Sequence, residues 1–353
     1  MIQVSEYVSL GHPDKIADYI SQYLLDRYIE QDPYTRYAVE VQIKDWHVTL
    51  GGEVSSNYQM TDEEMRSHIA AAVNDIGYTR EYQEKWGHRN TISGSRLDTE
   101  IFISRQSPDI MQGVLWHHGW GDQGIFHGMA TYNRETCGMP YDHAVAKRLC
   151  KALFESGLGG LDIKTQVVTD NDAIAKIIVA IPLLPDQDTQ TVEDFVHARV
   201  EGDYELIING TGRYVRHSSL ADCGTTGRKL AVDFYGGNCI IGGGSPWTKD
   251  GTKADLTLNL YARHLALVNA KENHCDVDVA LACCIGQKDV DFSVRRRDNG
   301  QEIGCGVIQL TPASLISRYG LDKPIYASMC RWGLFGEFQQ DKAWENCKDI
   351  NIK

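Results

Sequence analysis

The sequence predicts a mixed α and β protein of two or three domains, on three observations. At 353 residues the chain is too long for one small core. Residues 37–50 alternate apolar and polar side chains as strands do, while the run after Pro13 repeats its apolar side chains at helical spacing. A hydrophobic content of 42% and a charged content of 24% describe a soluble globular chain.

The first helix opens at Gly11-His12-Pro13-Asp14-Lys15. Ile16, Ala17, Ile20, Leu24 and Tyr28 follow at helical spacing, and Pro13 suits the first helical position, where its missing N–H costs nothing. Free amides and the positive end of the helix dipole favour an anion there. His12 can donate to a phosphate oxygen, and Asp14 can hold Mg²⁺ on that phosphate. Taken alone, the five residues also read as an ordinary cap with solvated charges. Next, Tyr37, Val39, Val41 and Ile43, then Trp46, Val48 and Leu50, form a hairpin with one apolar face. A turn centred on Lys44 and Asp45 puts Glu40 near Thr49 on the polar face, which Glu53 continues after Gly51-Gly52. Both glutamates also read as solvated strand residues.

A helix is expected from Thr61, with Glu63 and Glu64 in its first turn, then a polar stretch to about Ser95 and a strand over 100–104. Pro108, Asp109 and Gly113 make 106–114 loop-like, a candidate lid or linker. Further helices are expected over 141–153 and 256–270, and further strands over 165–169, 176–181 and 277–285. No short repeat or low-complexity tail is present.

A net charge of −13 argues against a nucleic-acid surface, which needs a basic face. Cations instead concentrate locally at Arg213 and Arg216, Arg228 and Lys229, and Lys249 and Lys253, which suits a small polyanion. Arg295-Arg296-Arg297 reads as a solvated loop. No apolar run approaches the ~20 residues of a membrane span, and the first residues lack a signal-peptide pattern. Ten cysteines without a C-x-x-C pair read as reduced, mostly buried thiols of a cytosolic protein.

The second constellation is Asp222-Cys223-Gly224-Thr225-Thr226-Gly227-Arg228-Lys229, followed by Tyr235-Gly236-Gly237 and Gly242-Gly243-Gly244-Ser245. Glycines let backbone amides approach an oxyanion, and paired cations supply charge. Neither a Walker A loop nor a Rossmann G-x-G-x-x-G is present. The glycines alone could be turn punctuation, and Lys249 and Lys253 could share a helix surface.

Taken together, these segments resemble the S-adenosylmethionine synthetase (methionine adenosyltransferase) family over nearly the whole chain. The matching strings run in order: S-E-x-V-S-x-G-H-P-D-K-I-A-D from Ser5, G-G-E at Gly51, Q-S-P-D-I-x-Q-G-V at Gln106 and G-D-Q-G at Gly121. They continue with D-x-K at Asp162, T-G-R at Thr211, D-C-G-x-T-G-R-K at Asp222, Y-G-G at Tyr235 and G-G-G-S at Gly242, then K-D at Lys249, K-x-D at Lys253, P-I-Y at Pro324 and G-x-F-G at Gly333. The collinearity, more than any one string, carries the resemblance.

The resemblance implies an α+β fold of three similar α/β-sandwich-like domains around a pseudo-threefold axis. The implied segments are 1–108, 117–207 and 208–353, with a mobile active-site loop over 106–119. It implies a homodimer with shared active sites, with a dimer of dimers as the larger assembly open to it, that joins ATP and L-methionine into S-adenosylmethionine and then hydrolyses the triphosphate. By position, His12, Lys15, Lys164, Arg228 and Lys249 would be catalytic. ATP would meet His12, Asp162, Lys164, Arg213, Tyr214, Asp222, Arg228, Lys229, Ser245 and Lys249, and methionine would meet Glu53, Gln106, Asp222, Lys253 and Ile285. Asp14, and more weakly Asp255, would hold Mg²⁺, and Glu40 would hold K⁺. The chain departs from the family at Trp120, at Pro246-Trp247, at Ala180-Ile181-Pro182-Leu183 and at Ile240-Ile241, and its 114–121 loop is short. Those departures bear on K⁺, subunit contacts and a lid closing through Leu115, Trp116 and Trp120. A triphosphate phosphohydrolase and an inactive regulatory relative are the alternative functions.

Overall fold

The computed structural model describes residues 2–105, 119–171, 173–337 and 342–346. Gln106, Trp116 and nearly all of the expected lid lie outside the described residues. The first segment folds as β1 (Ile2–Val8), α1 (Pro13–Gln31), β2 (Arg36–Lys44), β3 (His47–Ser55), α2 (Asp62–Ile76), α3 (Arg80–Trp86) and β4 (Asp98–Arg105). The middle one holds β5 (Gly124–Ala130), α4 (Tyr141–Ser156), β6 (Lys164–Asp170), β7 (Ala173–Ala180), α5 (Gln190–His197) and β8 (Glu205–Ile208). Then come β9 (Gly224–Thr225), α6 (Leu230–Asp233), α7 (Ala254–Asn273), β10 (Val277–Cys283), β11 (Asp289–Arg296), β12 (Glu302–Gln309), α8 (Pro312–Tyr319) and α9 (Tyr326–Arg331).

The described strands make three four-stranded sheets, ordered β1-β6-β7-β8, β12-β11-β10-β5 and β4-β3-β2-β9. A long helix packs on each: α4 on β1 and β6, α7 on β5 and β10, α1 on β2. Two of the sheets are built on one hairpin and the last on the three-stranded meander β10-β11-β12, and each takes its outermost strand on one side from a different stretch of chain. Thus β1 joins the middle sheet, β5 the last and β9 the first, a cyclic exchange that interlocks the three units. Helices separate β3 from β4 and β7 from β8, and those pairs are parallel. A direct turn joins β11 to β12, which leaves them antiparallel.

Helices expected from Thr61 and near 141–153 and 256–270 are present, the first closed by a capping box between Thr61 and Glu64. The hairpin is displaced by one residue from expectation. Lys44 pairs with His47 and Glu40 with Gly51, so the turn centres on Asp45 and Trp46, and Gln42 rather than Glu40 lies opposite Thr49. Asp45 takes the left-handed conformation (φ 53°) that such turns favour, and Trp46 is left exposed instead of joining the apolar face. The polar stretch to Ser95 contains α3, nucleated by Thr79, whose side chain caps the amide of Tyr82.

The arginine tract is not a solvated loop. Arg295 and Arg296 end β11, and Arg297 pairs with Asp278 and donates to the carbonyl of Asn238 at 2.7 Å. The described cysteines are free thiols, but only Cys150, Cys275, Cys283 and Cys330 are buried, while Cys284 and Cys305 are exposed. No described helix is long and apolar enough to cross a membrane.

Candidate active site

Helix α1 is buried on nearly every side, so its polar residues need partners inside the protein. Asp14, Asp18, Gln22 and Asp26 recur every four residues and therefore form one stripe. Each accepts from a distant backbone amide: Asp14 from Thr225 at 2.9 Å, Asp18 from Gly227 at 2.8 Å, Gln22 from Thr248 at 2.9 Å, and Asp26 from Tyr326 and Ala327 at the start of α9 at 2.8 and 2.9 Å. The stripe thus fixes the Gly-rich loop on the first helix.

This corrects the expectation that the loop's amides cradle an oxyanion. Thr225 and Gly227 donate to the α1 carboxylates, and Thr226 donates to Val41 O at 3.0 Å. Gly224 is needed because a Cβ there would stand 2.1 Å from the carbonyl oxygen of Pro13. Those three amides are therefore taken, and the cationic side chains of Arg228 and Lys229 stand next to them in the chain for an anion.

Both cation-bearing segments lie along the same edge of β2. Ile43 and Gln42 pair with Gly224 and Thr225, Val39 N donates to Thr248 O, Ala38 bridges to Lys249, and Asp250 N donates to Tyr37 O. Glu40 stands between the two segments, accepting from the Thr226 hydroxyl and, at 3.0 Å, from the Thr248 hydroxyl. Lys249 and Lys253 therefore do not share a helix surface. Lys249 pairs with Asp255 at 2.5 Å, and Lys253 is the N-cap of α7, 3.8 Å from Asp250.

His12 is the N-cap of α1 and almost fully buried. Its Nδ1 accepts from Asp14 N at 3.2 Å, so the proton of the neutral ring sits on Nε2. Burial, then the cations of Lys229, Lys164, Lys15 and Arg228, hold its pKa well below the ordinary value. The imidazole is consequently neutral and offers one N–H. Asp14 also receives Lys229 Nζ at 2.5 Å, with Arg228 Nε 3.7 Å away.

Lys15 is placed differently from these residues. Its ammonium meets Asp233 at 2.7 and 2.9 Å and Asp18 at 3.2 Å, and it lies 4.4 Å from the ring centre of Trp247. Burial alone would lower its pKa, but Asp233, Cys330 and Asp18 together more than offset this and raise it. Trp247 donates Nε1–H to Asp233 at 2.8 Å, which gives this buried aromatic a polar partner in the same cluster. Asp233 was missed in the sequence, where nothing but an acidic residue soon after Arg228-Lys229 marks it.

The nucleoside-side candidates gather near Leu161 and Asp162. Asp162 is buried, its Oδ2 accepts from Ser218 N at 3.0 Å and its carbonyl accepts from the Tyr214 hydroxyl at 3.1 Å. Burial pushes its carboxyl up to about 6, against the opposing Ser218 amide bond. Its Oδ1 has no partner among the described residues. Gly11 packs so closely on Leu161 that a Cβ would stand 2.3 Å from its carbonyl oxygen, which carries His12 beside this group. Lys164 opens β6, and Arg213 and Asp222 are exposed on the neighbouring loops. Ser245 contacts the space beside Gly227 and accepts from Trp247 N at 3.2 Å.

A second group surrounds Lys249 and Asp255. Glu53 lies opposite Ala38, the residue that bridges to Lys249, and Gly244 closes on Asp255 so tightly that a Cβ would overlap its carboxylate. Ile285 is exposed at the end of β10 and bridges to Trp120. Trp120 is fully buried and its backbone exchanges bonds with Gln287 O at 3.0 Å and Gly286 N at 2.8 Å. It is a core residue of the last sheet, not an aromatic that closes with a lid.

Known proteins share this chain's sequence and fold. Residues 1–108 match the S-adenosylmethionine synthetase, N-terminal domain, and residues 217–346 match the C-terminal domain of the same family. An S-adenosylmethionine synthase of Staphylococcus epidermidis is 30% identical over 394 aligned positions, covering 99% of this chain and 96% of that protein. One of Acholeplasma laidlawii is 30% identical over 383 positions, covering 99% and 97%. Among solved structures, an unusual S-adenosylmethionine synthetase from Campylobacter jejuni superposes with a TM-score of 0.87 at 29% identity, covering 98% of this chain and 97% of that one. The fold and the sequence together define an α+β transferase class. The chain belongs to the S-adenosylmethionine synthetase family.

Proposed function

We propose that this chain is a methionine adenosyltransferase that forms S-adenosylmethionine from ATP and L-methionine and then hydrolyses the triphosphate to pyrophosphate and phosphate. The observation that carries the reading is His12, a neutral donor fixed by Asp14 N–H amid Lys229, Lys164 and Arg228. Methionine's thioether sulfur is already nucleophilic. Its lone pair forms the S–C5′ bond as the C5′–O bond breaks, and the triphosphate departs with that electron pair. No general base is needed; the step needs in-line positioning and stabilisation of a departing polyanion.

His12 Nε2–H donates to the leaving oxygen, and Arg228, Lys229 and Lys249 offset the phosphate charge, with Ser245 beside them. Lys164, Asp162, Arg213, Tyr214 and Asp222 hold the nucleoside end, and Glu53, Gln106, Lys253 and Ile285 the methionine. Lys15, held by Asp233 and Asp18, supports the helix turn that presents Asp14 and is a positioning residue in this reading.

No group of three or more metal-ligating side chains occurs among the described residues. Magnesium needs none, because it is commonly held by one or two carboxylates and the substrate's phosphates. Asp14, a buried carboxylate amid phosphate-binding cations, fits that demand, with Asp255 second. The ion supplies charge neutralisation on the triphosphate when bound. Glu40 with the Thr226 and Thr248 hydroxyls gives an all-oxygen set suited to K⁺. A homodimer that shares its sites would bring the His12 group of one copy to the Lys249–Asp255 group of another, and the exposed Ile2, Val4, Phe102, Ile125 and Val307 offer apolar surface for it.

Incubation with ATP, Mg²⁺ and methionine tests the reading, with S-adenosylmethionine, pyrophosphate and phosphate as expected products. Phosphate release independent of methionine would favour a phosphohydrolase, and no product at all an inactive relative. In the active enzyme, Asp14→Asn is expected to raise the Mg²⁺ concentration needed for half-maximal turnover, since an amide replaces an anionic ligand. An unchanged Mg²⁺ titration would shift that role to Asp255.

A further inference from the structure

Tyr78, Tyr82, Trp86 and His217 form an aromatic cluster behind the site. Trp86 meets His217 edge to face at 4.9 Å, and Tyr82 stacks on Trp86 at 5.8 Å and meets Tyr78 edge to face at 5.4 Å. The hydrogen bonds through it have a single assignment. His217 Nδ1 lies 2.7 Å from Val215 O, which can only accept, so Nδ1 carries the proton and Nε2 is bare. The Tyr82 hydroxyl, 2.8 Å from Nε2, therefore donates to it and accepts from Leu161 N at 3.0 Å. His217 N further donates to Asn90 O at 2.8 Å, and the Tyr78 hydroxyl donates to Gly11 O at 2.7 Å. One cluster thus ties the 215–218 loop, Leu161-Asp162 and the residue before His12 into one frame.

What that frame holds is unfinished. Ser218 is in the left-handed region at φ 61°, rare for a residue with a side chain, and its amide donates to Asp162 Oδ2. Its hydroxyl and Asp162 Oδ1 are both buried without a partner among the described residues. Buried oxygens left in this way are costly unless a ligand completes them.

We propose that Tyr82 and His217 are positioning residues for the nucleoside half of the site, locking the 215–218 loop against Leu161-Asp162 so that Asp162 and Ser218 meet the nucleoside in one geometry. This rests on the ATP-binding reading above. Neither side chain touches substrate. Their effect is confined to substrates that carry a nucleoside, because the phosphate side is held separately by α1 and the Gly-rich loop.

The test compares ATP with inorganic triphosphate in the full-length enzyme carrying Tyr82→Phe, His217→Leu or His217→Gln. Tyr82→Phe and His217→Leu are expected to raise KM for ATP roughly ten-fold, the size associated with leaving a buried polar group unpaired. Hydrolysis of added triphosphate and KM for methionine should change far less. His217→Gln, which keeps an acceptor near Nε2, should recover most of the ATP affinity. Equal losses on both substrates with unchanged KM for ATP would overturn the proposal, as would unchanged kinetics. Calorimetric ATP binding separates the two readings. A wild type that binds ATP but makes no S-adenosylmethionine overturns the synthetase reading alone, and the variants' ATP affinities then decide this one. A wild type that binds no ATP overturns both.

Discussion

His12→Asn is expected to slow S-adenosylmethionine formation by roughly 10²–10³-fold, the loss typical of removing one donor aimed at developing negative charge. Hydrolysis of added triphosphate should suffer much less, since no C5′–O bond breaks in it. Asparagine is a good N-cap and can still accept from Asp14 N, so the start of α1 should survive and the loss should report the missing Nε2–H. The depressed pKa adds a second expectation. The ring stays neutral through the range where an ordinary imidazole titrates, so the ratio of wild-type to variant rates should stay flat there. Equal losses in both activities, or a ratio that collapses near pH 6.5, would count against this role.

Asp233→Ala is expected to cost about 3–5 kcal/mol of folding stability, the range for removing one partner of a buried ion pair. Lys15 would keep Asp18 as its one paired carboxylate, and the indole N–H of Trp247 would lose its acceptor. Denaturant unfolding measures this. The double variant Lys15→Met/Asp233→Ala should be nearer wild type than Asp233→Ala, because it removes the charge stranded by the single change. An unchanged unfolding midpoint in Asp233→Ala, or a double variant less stable than the single one, would show that the pair does not support α1.

Local pattern determined much of this protein. The start of α1 follows from Pro13 and the apolar spacing behind it, the β2–β3 hairpin from its alternation, and α2 from Thr61 and Glu64, because each depends on neighbours a few residues away. The charged residues of the site were legible as types and by their order along the chain. The stripe Asp14, Asp18, Gln22, Asp26 was not read from the sequence: its four-residue spacing is local, but its meaning needs the knowledge that this face is buried.

Only the tertiary structure decided what those residues meet. The loop amides of Thr225 and Gly227 went to carboxylates 211 and 209 residues away, not to an anion. Trp120 went to the core, and Trp247 was placed over a lysine far from it in sequence. The hairpin turn shifted to Asp45 and Trp46, where Asp45 N bonds to Ser219 O across the fold. Strands β1, β5 and β9 each completed a sheet of another chain segment. Composition and periodicity carry no record of such pairings, because a buried charge or an open sheet edge is satisfied by whichever distant group the whole fold delivers to it.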